Sequence, residues 1–302
     1  MREPPVIRML PDGRRLHLHD GPIDLIVEAF GQPNEVRSSY TAAERRFITV
    51  LDELCAELSL LRNVAGRDRT TLQGIIARRM ANAVAPFTTR CFITPMAAVA
   101  GAVAEEILNA LTTSANLNRA YVNNGGDIAV HLARGEHFTI GMVESPDHAS
   151  LFGSVKLDSS QPSRGIATSG WRGRSFSLGI ADAVTILAKT AAMADAAATI
   201  VANAVDLPGH PGILRTPARE IAPDSDLGDL LVTRAVSNLP THEIDAALQN
   251  GLRTANDLRS CGLIEAAALC LQGHTRVVSS PEISADMAIA RKPIPTRIAA
   301  HA

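Results

Sequence analysis

The sequence predicts an α+β fold of mixed sheets and packed small-residue helices, and three observations carry that prediction. Segments that alternate every second residue are interspersed with segments of helical period, without a regular βαβ rhythm. An Asn-Gly pair at 124–125 joins two apolar runs, the signal of an antiparallel hairpin. Hydrophobic residues make up 46% of the chain but aromatics only 3%, so the core must be built from Ala, Val, Leu and Ile, which lets elements approach closely. With 302 residues a sizeable core is available. Residues 1–285 are expected to form a single domain, as one body or two intertwined lobes, with 286–302 as a C-terminal tail.

Val6–Leu10 and Arg15–His19 flank the turn signal Pro11-Asp12-Gly13 and predict a hairpin, followed by a strand at Ile23–Phe30. Thr41–Arg62 reads as a helix. Thr41 and Glu44 form a capping box, and Phe47, Val50, Leu51, Leu54, Leu58 and Leu61 keep helical spacing. A second helix is expected over Thr71–Val84, ending at Pro86. Pro95 introduces a small-residue helix, Met96–Leu108, with Glu105 and Glu106 facing solvent. Gly101 inside it lowers helix propensity while letting a backbone or a ligand come near.

Arg119–Asn123 and Ile128–Leu132 are strands joined by Asn124-Gly125-Gly126-Asp127, and His137–Val143 is a further strand before a loop at Glu144–Leu151. Gly165–Trp171 reads as a Gly/Ser loop, then comes an apolar strand at Ala183–Lys189 and a helix opening near Ala191. Leu207–Asp229 is rich in Pro, Gly and Asp and is expected to be a long surface excursion. Leu230–Ala235 is a strand candidate. Thr241–Cys261 and Ile264–Leu271 are expected as helices split by Gly262, Thr275–Ser279 as a strand, and the tail after Pro281 as extended or frayed.

Composition excludes several function classes. A formal charge of −2 offers no global attraction for nucleic acid. Cys55, Cys91, Cys261 and Cys270 form no CxxC pair, which argues against structural zinc and against a disulfide framework. No run of eighteen apolar residues and no signal sequence is present, so the expected compartment is the cytoplasm, with no membrane partner.

On the helix after Ala191, Asp195, Thr199 and Asn203 recur every fourth residue among alanines, which stacks them on one face. A carboxylate and a hydroxyl one turn apart can serve as hard oxygen ligands for Mg²⁺. A stripe of ordinary polar contacts on a buried helix is the other reading. Asn124-Gly125-Gly126-Asp127 is either a plain hairpin turn or a bared backbone that cradles a ligand. Trp171, the only tryptophan, either stacks on a planar ring or is buried at the base of its loop.

Three segments in order, Pro95-Met-Ala-Ala-Val-Ala-Gly101, Asn123-Asn-Gly-Gly-Asp-Ile128, and Gly165-Ile-Ala-Thr-Ser-Gly170 continuing to Ala194-Asp-Ala-Ala-Ala-Thr199, resemble the ApbE superfamily of FMN transferases, in its uncharacterised cytoplasmic branch. The resemblance covers roughly Ile75 to Val205. It implies an ApbE-like fold, Mg²⁺ held by Asp195 and Thr199, and FAD or FMN as substrate or ligand. It further implies cleavage of the FAD pyrophosphate and transfer of FMN to a Thr or Ser of a target protein. By the same match Asn124, Gly125, Gly126 and Asp127 border the nucleotide. Thr168, Ser169 and Gly170 form the Thr-Ser-Gly loop with Trp171 beside it, and Asp182, with Asp195, is a catalytic candidate. One departure stands out: the family's transferases carry a lysine-glycine pair in the helix matching Met96–Glu105, and this chain has no lysine there. A non-catalytic ligand-binding module, or an accessory subunit of a redox or catabolic enzyme, is therefore the alternative. The small-residue helix also offers a face for homodimer packing.

Overall fold

The computed structural model describes residues 4–66, 72–145, 148–279 and 287–295. The chain forms two compact units. The first comprises residues 1–136, 159–167 and 187–197; the second comprises 137–158, 168–186 and 198–302.

In the first unit, β1 (Val6–Met9) and β2 (Leu16–Asp20) form the expected hairpin, and β3 (Ile23–Gly31) pairs antiparallel with β2. α1 (Pro33–Ala56) starts eight residues earlier than the Thr41 capping box predicts. Pro33 stands at the first helical turn, where its fixed φ is already helical and its missing N–H costs nothing. Ser39, Tyr40, Ala43, Phe47, Val50 and Leu54 then form one buried face. Thr41 sits mid-helix, exposed, with its Oγ1 donating back to the Arg37 carbonyl. The last turn of the expected helix separates as α2 (Leu58–Leu61).

α3 (Ile75–Val84) follows; the expected start at Thr71 lies outside the described residues. A 3₁₀ turn over Pro95–Ala98 leads into α4 (Val99–Ser114), which packs on α1, α3, β4 (Leu117–Asn124) and β5 (Asp127–Leu132). β4 and β5 form the expected antiparallel hairpin, but its two-residue turn is Gly125-Gly126, both with positive φ, and Asn124 ends β4. β8 (Gly165–Ser169) opens in the first unit and ends in the second. The strand order within the first unit is β1-β2-β3-β4-β5-β8. Gly165–Ser169 is thus a strand rather than a loop. The irregular part is confined to the residues after it.

In the second unit β6 (His137–Ser145), β7 (His148–Asp158) and β14 (Met287–Pro295) form an antiparallel sheet in the order β14-β7-β6. The expected loop at Glu144–Leu151 is therefore mostly strand, and residues 146–147 lie outside the described set. β9 (Ala183–Ala188), with every residue buried, and α5 (Ala191–Ala204) after it each have residues in both units. β10 (Ile213–Pro217) and α6 (Ala218–Ile221) lie within the expected surface excursion, and β11 (Leu231–Val236), at the strand expected over Leu230–Ala235, pairs antiparallel with β10. α7 (Thr241–Ser260) packs on the hairpin of β12 (Ala266–Leu271) and β13 (His274–Ser279).

The segment expected as a helix at Ile264–Leu271 is β12. Its alanines favour a helix locally, yet all six residues of Ala266-Ala-Ala-Leu-Cys-Leu271 are buried, the pattern of an interior strand covered on both faces. The local preference loses to that burial. Because Thr41 is not a cap, Thr41→Ala should change unfolding free energy by less than about 0.5 kcal/mol in urea, against about 1 kcal/mol for loss of a true N-cap.

Candidate functional site

The first unit gathers the β4–β5 turn, the start of α4 and the first turns of α5. Gly101 is the reason they can meet. A Cβ on it would lie 2.3 Å from the Ala191 carbonyl oxygen, so any side chain here would push the two backbones apart. With that contact open, the Gly101 N–H donates to Asp195 Oδ2 at 3.0 Å. In the opposite direction, the Ala192 N–H donates to Glu105 Oε1 at 2.7 Å. The side chain of Asn124, itself buried, donates to the Ala100 carbonyl at 3.2 Å, and Asn123 Oδ1 accepts the Gly126 N–H at 2.8 Å.

Asp195 is half-buried. Burial first, and then the negative charge of Asp127, raise its carboxyl well above the ordinary carboxylate range, against the opposing influence of the Gly101 and Ala100 amides. The charge of Asp127, from the turn, therefore acts on Asp195, on α5. Thr199 stands one turn further along α5 and is half-buried. Asn203, the third member of the predicted stripe, is committed elsewhere: its Oδ1 accepts the Leu178 N–H at 2.8 Å and the Ser177 hydroxyl at 3.2 Å.

Glu105 and Glu106 do not face solvent, contrary to the sequence expectation. Glu106 is 5% exposed and accepts from Arg46 Nε at 2.7 Å and Arg79 Nη1 at 3.0 Å. Glu105 pairs with Arg79 Nε at 3.1 Å, and Arg46 reaches on to Glu53 at 2.7 Å. Arg79 also donates to the Ala102 carbonyl at 3.1 Å. This network ties α1 and α3 to α4. Nothing in α4 taken alone reveals it. The one available signal is a pair of arginines, Arg46 and Arg79, on the two predicted helices that precede the segment.

The remaining sequence-predicted residues, like Thr199 and Asn203, lie in the second unit. Thr168 Oγ1 is 2.9 Å from Thr185 Oγ1, and Ser169 is half-buried. Gly170 is buried, and a Cβ on it would lie 2.3 Å from the Asp182 carbonyl oxygen. Asp182 is buried and saturated. Its Oδ1 accepts from Trp171 Nε1 at 3.1 Å and from Arg172 Nε at 2.8 Å, and its Oδ2 accepts the Gln272 N–H at 2.5 Å. The Arg172 guanidinium also lies over the Trp171 ring, 4.5 Å from its centroid. Asp182 immediately precedes β9. It holds an indole, a guanidinium and the strained turn residue Gln272, whose φ is +45°.

Gly101→Ala should cost about 1–3 kcal/mol in chemical denaturation, because the obstructing atoms are backbone. The Asp195 carboxyl binds its proton more tightly folded than unfolded, so wild-type stability should fall as pH rises above its unfolded value near 3.8. Asp195→Asn should remove that decline in buffers free of divalent cations and be the more stable protein at neutral pH, as read from melting temperature against pH.

A family model described as AbpE bacteria matches residues 7–277. A UPF0280 protein of Methanopyrus kandleri is 39% identical over 135 residues, 44% of this chain and 51% of that protein. A UPF0280 protein of Methanocaldococcus jannaschii is 37% identical over 111 residues, 36% of this chain and 44% of that protein. The chain spans about half the length of the curated relatives it matches. Among solved structures, the ApbE protein of Thermotoga maritima aligns over 93% of this chain and 98% of its own, at 12% identity and a TM-score of 0.48. The flavin transferase ApbE of Vibrio cholerae aligns over 94% and 100%, at 11% identity and a TM-score of 0.48. Among the described residues no helix is long and apolar enough to cross a membrane. With a family model running through nearly all of its strands and helices, the chain belongs to the AbpE bacteria family.

Proposed function

We propose that this protein handles a flavin nucleotide as an FMN-transferase-like enzyme, with a divalent cation held at Asp195. The observation that carries this reading is the Asp195 carboxyl held by the Gly101 N–H at the start of α4, with the negative charge of Asp127 acting on it. Burial and the charge of Asp127 both work against an ionised Asp195, and a hard cation at its carboxylate offsets both. The donor set suits Mg²⁺: two carboxylates, with the Thr199 hydroxyl one turn along α5 and no thiolate or imidazole among them. When bound, such an ion supplies the positive charge that a pyrophosphate needs as its bridging bond breaks.

The chain's own residues do the rest. The Gly101 N–H orients the Asp195 carboxylate, and Asn124 holds the Ala100 carbonyl so that the backbone at 100–101 cannot swing away. In the proposed reaction the oxygen of an acceptor Thr or Ser hydroxyl forms a bond to the FMN phosphorus of FAD. The bridging P–O bond to AMP breaks, AMP leaves with that oxygen, and the hydroxyl proton passes to solvent. Water in place of the acceptor gives free FMN and AMP.

One observation favours a second reading, a binding module without turnover. No lysine lies in the helix that carries Gly101, and Arg172, a cation that could replace it, is already paired with Asp182. Incubation with FAD and Mg²⁺ separates the two. Transfer or hydrolysis releases AMP, and Asp195→Ala should lower the rate by about 10²-fold or more. Intact FAD together with quenching of Trp171 fluorescence by added flavin would instead support the binding module. Neither AMP release nor quenching would remove both readings.

A further inference from the structure

Gly101 and Glu105 stand four residues apart on one face of α4, and Ala192 and Asp195 stand three apart on one face of α5. Between these two faces run two hydrogen bonds of opposite sense, Gly101 N–H to Asp195 and Ala192 N–H to Glu105. A single bond would let α5 turn about it. Two bonds, spaced along both helices, fix the rotation of α5 and hence the direction of the Asp195 carboxylate. Glu105 is itself held by Arg79 Nε at 3.1 Å, and Arg79 is held by Glu106 and the Ala102 carbonyl, so the anchor cannot drift.

We propose that Glu105 is a positioning residue for the cation site: by accepting the Ala192 N–H it sets where Asp195 points, without touching the ion. This rests on the reading of Asp195 as a cation ligand. The test uses Mn²⁺ as a spectroscopic probe, with affinity read from the free-ion resonance and melting temperature measured alongside. Glu105→Ala should weaken Mn²⁺ binding by about ten- to a hundredfold, the usual effect of removing a group that orients a ligand. Glu105→Gln keeps an oxygen acceptor for Ala192 and should bind close to wild type. Glu106→Gln disturbs the same buried network but leaves the Ala192 bond intact. It should lower the melting temperature and leave the affinity unchanged.

Wild-type affinity in Glu105→Ala overturns the proposal. So does equal weakening in Glu106→Gln, which would mark a general loss of packing, or Glu105→Gln failing as badly as Glu105→Ala. If the wild type binds no Mn²⁺, or if binding survives Asp195→Ala, the cation reading itself falls. That failure is visible before the Glu105 variants are compared.

Discussion

The contact between the backbone of Gly101 and that of Ala191 governs the chemistry of the first unit. With only hydrogen in place of a side chain, residue 101 lets α4 touch the first turn of α5 at a separation no side chain allows. Both reciprocal hydrogen bonds between the helices require that separation, and the Asp195 carboxylate takes its orientation from one of them. The β4–β5 turn reaches the same corner through Asn124, whose amide meets the Ala100 carbonyl. A turn, a helix start and a second helix start therefore converge because one position has no Cβ.

Such a junction needs lateral support, and the ion network on the other side of α4 provides it. Glu106 is almost fully buried between Arg46 and Arg79, and removing one member of such a group costs about 3–5 kcal/mol because it strands a charge. Replacing the whole network by apolar side chains need not weaken the fold. What the charges supply is direction, since guanidinium forks accept only certain carboxylate placements. α1, α3 and α4 are held in one relative placement, and α5 is docked against α4.

The second unit follows a parallel logic with different parts. Asp182 receives three donors from two stretches of chain, residues 171–172 and residue 272, the last being the N–H of Gln272 in a left-handed conformation. A carboxylate so fully engaged acts as a structural knot. It also neutralises Arg172, and this weakens the case for that arginine as a stand-in for a missing lysine.

Much of this was legible in the sequence. The hairpins at 6–20 and 117–132 follow from alternation and turn chemistry, and α5 follows from its alanine run, with Asp195 and Thr199 one turn apart on it. These features depend on residues near one another in the chain, so local rules suffice. Two other classes of feature required the tertiary structure. The alanine-rich segment at 266–271 became a strand because burial on both faces outweighs a helix preference of a few tenths of a kcal/mol per residue. Glu105 and Glu106 look solvated on α4 alone. Glu106 gains Arg79 from 27 positions away and Arg46 from 60, and Glu105 gains the Ala192 amide from 87. Likewise the influence of the Asp127 charge on Asp195 links residues far apart in sequence, and no periodicity records it. The chain by itself determined which oxygen-bearing groups stand one turn apart on α5. How strongly burial and a distant charge act on Asp195 was decided by packing, because desolvation belongs to the fold rather than to the residue.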